Sequence, residues 1–212
     1  MEIPDLILKL EPLENKNGYS FKNKRLLLKS MLHSSFVHEN KGYGLRCNER
    51  LEFLGDAVLE LVISEYLIKK LVDKDEGVLS LKRSFLVREE MLAKIARRLK
   101  IQNYIFMGFG EKKDGGNERD SILSDAVEAF WGAVFLDGGF EPAKYLILKS
   151  FEPFLNEIDD LDNLFNFKNQ LQEYLQENFR VPPQYKLVSQ TGPEHQKKYN
   201  VNVFVQNHYI TW

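Results

Sequence analysis

The segment Asn48-Glu49-Arg50-Leu51-Glu52-Phe53-Leu54-Gly55-Asp56-Ala57-Val58-Leu59-Glu60 decides how the chain is read. At about 100° per residue on a helix, Glu49, Glu52, Asp56 and Glu60 fall within one sector of roughly 80°. Leu51, Leu54, Val58 and Leu61 are expected on the opposite side. A solvated acidic face is the ordinary explanation of such a pattern. Two features argue against it here: acids three and four residues apart repel with no cation between them, and the bulky Phe53 occupies the same sector. The pattern asks for something that neutralises the acids and covers the ring.

A second helix supplies a matching pair, because Asp125 and Glu128 share one face while Leu123, Val127, Phe130 and Val134 lie opposite. Carboxylates converging from two helices cannot all ionise unless a cation sits among them. An all-oxygen set without His or Cys selects a hard ion such as Mg²⁺.

Around these segments the first three quarters of the chain read as helical. Apolar residues recur at three- and four-residue spacing in Leu6–Leu13, Lys24–Leu32, Leu51–Leu71, Leu79–Leu99, Ser121–Leu136 and Pro142–Phe154. Glycine-bearing loops are expected at Gly42–Gly44 and Gly108–Gly116, and the acidic stretch Glu157 to Asp162 reads as a linker. The period then changes. Asn166–Asn178 reads as a short helix stopped by Pro182-Pro183, and Tyr185–Val188 and Tyr199–Val205 alternate as strands around the turn signal Thr191-Gly192-Pro193. The expected organisation is an all-α domain over 1–155, a linker over 156–163 and an α+β domain over 164–212.

Composition agrees with a soluble globular protein of one or two domains: 212 residues, 43% hydrophobic and 28% charged. No stretch approaches the roughly 20 apolar residues of a membrane span, and Glu2 and Asp5 stand where a signal peptide would be basic. Cys47 is the sole cysteine, so no intrachain disulfide can form, and a reducing, cytoplasmic setting is expected. A small packed residue is the ordinary reading of that thiol, ahead of a redox switch. Net charge is −2, yet residues 163–212 carry five Lys/Arg against three Glu. An acidic front is joined to a basic back.

The stretch Asn48–Leu59 closely resembles the nine-residue signature of ribonuclease III with its flanks. Asp75-Glu76-Gly77, Gly115-Gly116 with Arg119 and Ser121, and Ser121-Ile122-Leu123-Ser124-Asp125-Ala126-Val127-Glu128-Ala129 resemble later blocks of that family in the expected order. The tail, with Leu171-Gln172-Glu173-Tyr174-Leu175-Gln176 and Gly192-Pro193-Glu194-His195, resembles a double-stranded-RNA-binding domain of the α-β-β-β-α type. That pattern continues past the point where Trp212 stands, so the module is expected to be incomplete at about its third strand.

The resemblance implies an all-α endonuclease domain and a Mg²⁺-dependent endoribonuclease that cuts double-stranded RNA to 5′-phosphate and 3′-hydroxyl ends with two-nucleotide 3′ overhangs. Mn²⁺ is expected to substitute. By carry-over, Glu52, Asp125 and Glu128 would hold the metal, and Asp56 with Glu128 would complete the catalytic carboxylates, whether one or two ions act. Glu49 and Glu76 would be supporting acids; a first-turn acid favoured by the helix dipole accounts for Glu76 equally well. Gln172, Glu173, His195, Lys197 and Lys198 in the tail, and Lys112, Lys113 and Arg119 in the glycine loop, would contact RNA, although a lysine pair is commonly just solvated surface. Similar proteins are homodimers, which makes Phe53 an interface knob, and ribosomal precursors are the implied substrates. Two rivals are a non-catalytic ribosome- or RNA-associated homologue, disfavoured because every carboxylate is present, and a metal-binding helical scaffold with a β appendage or a metal-dependent hydrolase of small phosphate esters.

Overall fold

The computed structural model describes residues 2–155, 171–191, 198–205 and 208–210. The chain divides into two compact units, Met1–Asn156 and Glu157–Trp212. The expected linker, 156–163, lies outside the described residues, as do His195 and Lys197.

The first unit is helical: α1 (Ile3–Leu8), α2 (Glu11–Asn17), α3 (Lys24–Ser30), α4 (Ser34–Glu39), α5 (Glu49–Lys70), α6 (Glu76–Leu86), α7 (Glu89–Leu99), α8 (Phe109–Lys113), α9 (Asp120–Gly138) and α10 (Phe140–Leu155). The middle of α9 is apolar on nearly every side and is buried accordingly, with α3, α5, α7 and α10 packed around it. Trp131 and Phe130 of α9, with Phe151 of α10, are the largest fully buried side chains, and the Trp131 and Phe151 rings lie 5.9 Å apart. At the far end of α9, Asp137 accepts hydrogen bonds from the Tyr19 hydroxyl (2.8 Å) and from the amides of Lys22 (2.9 Å) and Asn23 (2.8 Å). That carboxylate fastens the connection into α3, and the bonds hold it below the usual carboxylate range despite partial burial.

Three expectations are corrected. Leu6–Leu13 is two helices, because the chain restarts at Glu11-Pro12, where proline suits a first turn but not an interior. Leu79–Leu99 is also two: Arg88 is extended (φ −69°, ψ 152°) and caps α7, whose first turn carries Glu89 and Glu90. Leu61 faces outward and is 57% exposed, while Leu51 and Val58 on the same helix are buried. No helix among the described residues is long and apolar enough to cross a membrane.

In the second unit residues 171–179 are helical, with Leu175 buried and Gln172 and Glu173 exposed. Three antiparallel strands follow in the order β1 (Gln184–Thr191), β2 (Lys198–Val205) and β3 (His208–Ile210). The β1–β2 register pairs Gln184 with Phe204 and Thr191 with Lys198, and it shifts between Leu187 and Ser189. Helix and strands thus run in the order read from the sequence, with β3 close to the last residue.

Candidate active site

Helices α5 and α9 cross at two glycines. A Cβ on Gly55 would overlap the carbonyl of Glu128, and one on Gly132 would overlap the carbonyl of Leu51 and reach 3.0 Å from the Gly55 nitrogen. Only hydrogen at both positions lets the backbones approach this closely. The consequence is chemical as well as structural, since Glu52 and Asp56 flank Gly55 while Asp125 and Glu128 occupy the facing stretch of α9.

Carboxylate oxygens of Glu52, Asp125 and Glu128 all lie within 4.8 Å of one another, and each side chain is half-buried. Oxygens about 2.1 Å from a Mg²⁺ in octahedral array are about 3.0–4.2 Å apart, so a small inward closure of these three would make one face of such a shell. The donor set fits a hard cation and offers nothing to a soft one.

The electrostatics carry the same message. Burial pushes the Glu128 carboxyl up to about 8, with the charges of Asp56, Asp125 and Glu52 adding to it in that order. Glu52 is raised by burial and then by Asp125, Glu49 and Asp56. Asp125 is raised by burial and by Glu89, against a hydrogen bond from Ser124 and the nearby His33. Asp56 stands outside the tight trio and is exposed, yet it is the strongest charge felt by Glu128. Glu49 is a neighbour of Glu52 at the start of α5 and is exposed.

The other predicted residues lie elsewhere. Glu76 opens α6, is exposed, and accepts a hydrogen bond from the Ser80 hydroxyl at 2.7 Å; it is not in the trio. Lys112 and Lys113 end α8 and are exposed. Arg119 pairs with Glu111 at 2.9 Å while its side chain remains 51% exposed. Phe53 projects from α5 with 80% of its surface in solvent. Burial raises the Cys47 thiol, so it is not poised as a thiolate. Lys198 begins β2.

Sequence reasoning missed two groups that act electrostatically on Asp125, His33 and Glu89. Each is a single residue beside a short connection and carries no periodic signal. Only the fold brings them within electrostatic range of Asp125.

Residues 23–154 match the model of the family described as Ribonuclease-III-like, and residues 167–211 match the double-stranded RNA binding motif. A Ribonuclease 3 from Fusobacterium nucleatum is 38% identical over 196 residues, 92% of this chain and 84% of the relative. One from Nitratiruptor is 44% identical over 203 residues, 95% of this chain and 87% of that one. Among solved structures, the nuclease domain of ribonuclease III from Campylobacter jejuni, described for structural flexibility in a region involved in dimer formation, is similar with a TM-score of 0.63 and 48% identity. That likeness covers 68% of this chain and 96% of the other. With the family model spanning most of the chain and relatives matched over most of their length, the chain belongs to the ribonuclease III family of double-strand-specific endoribonucleases.

Proposed function

We propose that this protein is a Mg²⁺-dependent, homodimeric endoribonuclease acting in the cytoplasm on long RNA duplexes, ribosomal precursors among them. Its products carry 5′-phosphate and 3′-hydroxyl ends with two-nucleotide 3′ overhangs. The observation that carries this reading is the convergence of Glu52, Asp125 and Glu128 within 4.8 Å, beside Asp56, in a chain that also matches an RNA-duplex-binding motif.

Glu52, Asp125 and Glu128 would hold the cation. When bound, it supplies Lewis-acid polarisation of the scissile phosphate and activation of water near neutral pH. The protein's part is electrostatic and geometric. Glu128, its carboxyl pushed up to about 8 in the cation-free site, would have to give up its proton to serve as a ligand. Asp56, exposed beside it, remains open to water and accepts a proton from the attacking molecule. Glu49 and Glu76 support from outside the trio.

Duplex recognition rests on shape, phosphates and 2′-hydroxyls across the minor groove, which a chain of net charge −2 can manage with local cations. Lys112, Lys113 and Arg119 on the nuclease unit, and Gln172, Glu173, His195, Lys197 and Lys198 on the second, are the proposed contacts. The dimer reading is supported by an exposed apolar stripe on α5, where Phe53, Leu61 and Ile68 are 80%, 57% and 61% exposed. Two-fold pairing would use that stripe twice.

The test is cleavage of a long, end-labelled RNA duplex with Mg²⁺ and with chelator, followed by mapping of both termini. Mg²⁺-dependent products with staggered ends are expected. Intact duplex in Mg²⁺, or equal cutting of single-stranded RNA, would refute the reading.

A further inference from the structure

His33 stands where three segments meet. Its backbone N–H donates to the Phe106 carbonyl at 3.0 Å, and the carbonyl of the preceding Leu32 accepts from the amide of Asn48, the N-cap of α5, at 2.9 Å. The backbone at His33 therefore abuts the start of the helix that carries Glu52. Asp125, on the facing helix, lies within electrostatic range of the His33 ring.

The ring's own bonds fix which nitrogen carries its proton. Nδ1 accepts from the Ser35 amide at 3.3 Å and lies 2.8 Å from the Ser35 hydroxyl. An amide N–H can only donate, so Nδ1 is unprotonated. The Ser35 hydroxyl accepts from the Gly108 amide at 2.9 Å, which leaves its hydrogen to donate to Nδ1. The proton of the neutral imidazole accordingly resides on Nε2. With Nδ1 occupied and Nε2 protonated, this histidine is disqualified as a metal ligand and equipped as a donor.

We propose that His33 is a positioning residue for the cation cluster: its Nε2–H, oriented by Ser35 and Gly108, donates toward the Asp125 carboxylate, directly or through one water, and holds it in a ligating orientation. The proposal rests on the reading of Glu52, Asp125 and Glu128 as a cation site. Hydrogen bonds that orient ligating groups commonly govern affinity by one to two orders of magnitude, and a half-buried carboxylate with Glu89 beside it needs such a restraint. Glu39 completes the scaffold by accepting from the Phe109 amide at 2.9 Å, which holds the Gly108 segment against α4.

The experiment titrates Mg²⁺ alone into the purified full chain by calorimetry, with no RNA present, and compares wild type with His33→Ala, His33→Gln, His33→Asn and Ser35→Ala. A glutamine amide reaches toward the Nε2 position and an asparagine amide toward Nδ1, so the two separate the donor role from mere packing. His33→Ala and His33→Asn should weaken Mg²⁺ binding about 10–100-fold, His33→Gln should stay within about threefold of wild type, and Ser35→Ala should fall between. Melting in chelator identifies any variant that has lost its fold, and the Gln–Asn comparison then carries the test alone. Unchanged Mg²⁺ affinity in folded His33→Asn, or a His33→Gln protein as weak as His33→Asn, overturns the role of His33 while leaving the cation site standing. A wild-type chain that binds no Mg²⁺ overturns the cation site and this proposal together.

Discussion

Gly55 of α5 lies against the carbonyl of Glu128 on α9 with no room for a methyl group between them. Structure and site depend on the same contact. Gly55→Ala must push the two helices apart or bend one of them, because the obstructing atom is backbone and cannot rotate away. Overpacking of this kind costs about 1–3 kcal/mol, which for a unit of this size lowers the thermal midpoint by roughly 2–12 °C. Duplex cleavage should fall much further than stability, since Glu52 and Glu128 are displaced relative to each other. A Gly55→Ala protein that melts and cuts like wild type would show that the crossing is looser than described.

Glu128→Gln keeps the shape of the side chain and removes its charge. Cleavage should be lost in Mg²⁺, whereas binding of a long duplex, measured by gel shift, should persist because the proposed RNA contacts are elsewhere. In chelator the variant should melt no lower than wild type, since a repelled, half-buried acid has been neutralised. Addition of Mg²⁺ should raise the wild-type midpoint by mass action and the variant's much less. Near-normal cutting by Glu128→Gln would dismiss Glu128 as a ligand.

These residues were largely legible in the chain, and the reason is spacing. Glu52 and Asp56, like Asp125 and Glu128, are three or four residues apart on long helices, and helical period alone puts each pair on one face. Apolar runs likewise gave the long helices α5, α9 and α10. What escaped depended on contacts between segments distant in sequence. The break at Arg88 interrupts an apolar pattern without Gly or Pro, and its clue is only Glu89-Glu90 in the new first turn. Leu61 keeps an apolar side chain on an exposed face, which periodicity assigns to a core. His33 comes within electrostatic range of Asp125 because Leu32 bonds to Asn48 and Phe106 bonds to Met31 and His33, a set of long-range pairings with no local signature.

The raised acids impose a pH dependence on the cation-free protein. Between about 4.5, the ordinary value for Glu, and about 8, folded Glu128 holds a proton that the unfolded chain has released. Its contribution is fully present below the lower value and is lost as pH rises through the upper one. Glu52 and Asp125 shift in the same direction and add to the slope. The midpoint in chelator should therefore decline from pH 6 to pH 9, flatten in Glu128→Gln, and decline less in saturating Mg²⁺. Asp137, held low by its hydrogen bonds, acts oppositely and only in acid, so it does not blur this window. A midpoint that rises over the same range, unaltered in Glu128→Gln, would contradict the burial of these charges.

Phe53 offers a separate test, of assembly rather than chemistry. Its ring is 80% exposed on a helix whose next outward apolar residues, Leu61 and Ile68, continue the same stripe, and an isolated unit gains nothing from that arrangement. Burial of such a side chain in a partner is worth roughly 1.5–3 kcal/mol, and a two-fold interface counts it twice. Phe53→Ala should thus weaken self-association by about two to four orders of magnitude, less whatever the neighbouring contacts recover. The melting of the dissociated chain should hardly change, because the ring packs little against its own unit. Size-exclusion chromatography with light scattering over a dilution series from low micromolar concentration reads the outcome directly. If Phe53→Ala remains as dimeric as wild type at every dilution, the ring is not an interface anchor; if wild type itself is monomeric throughout, the stripe on α5 does not join two copies of this chain.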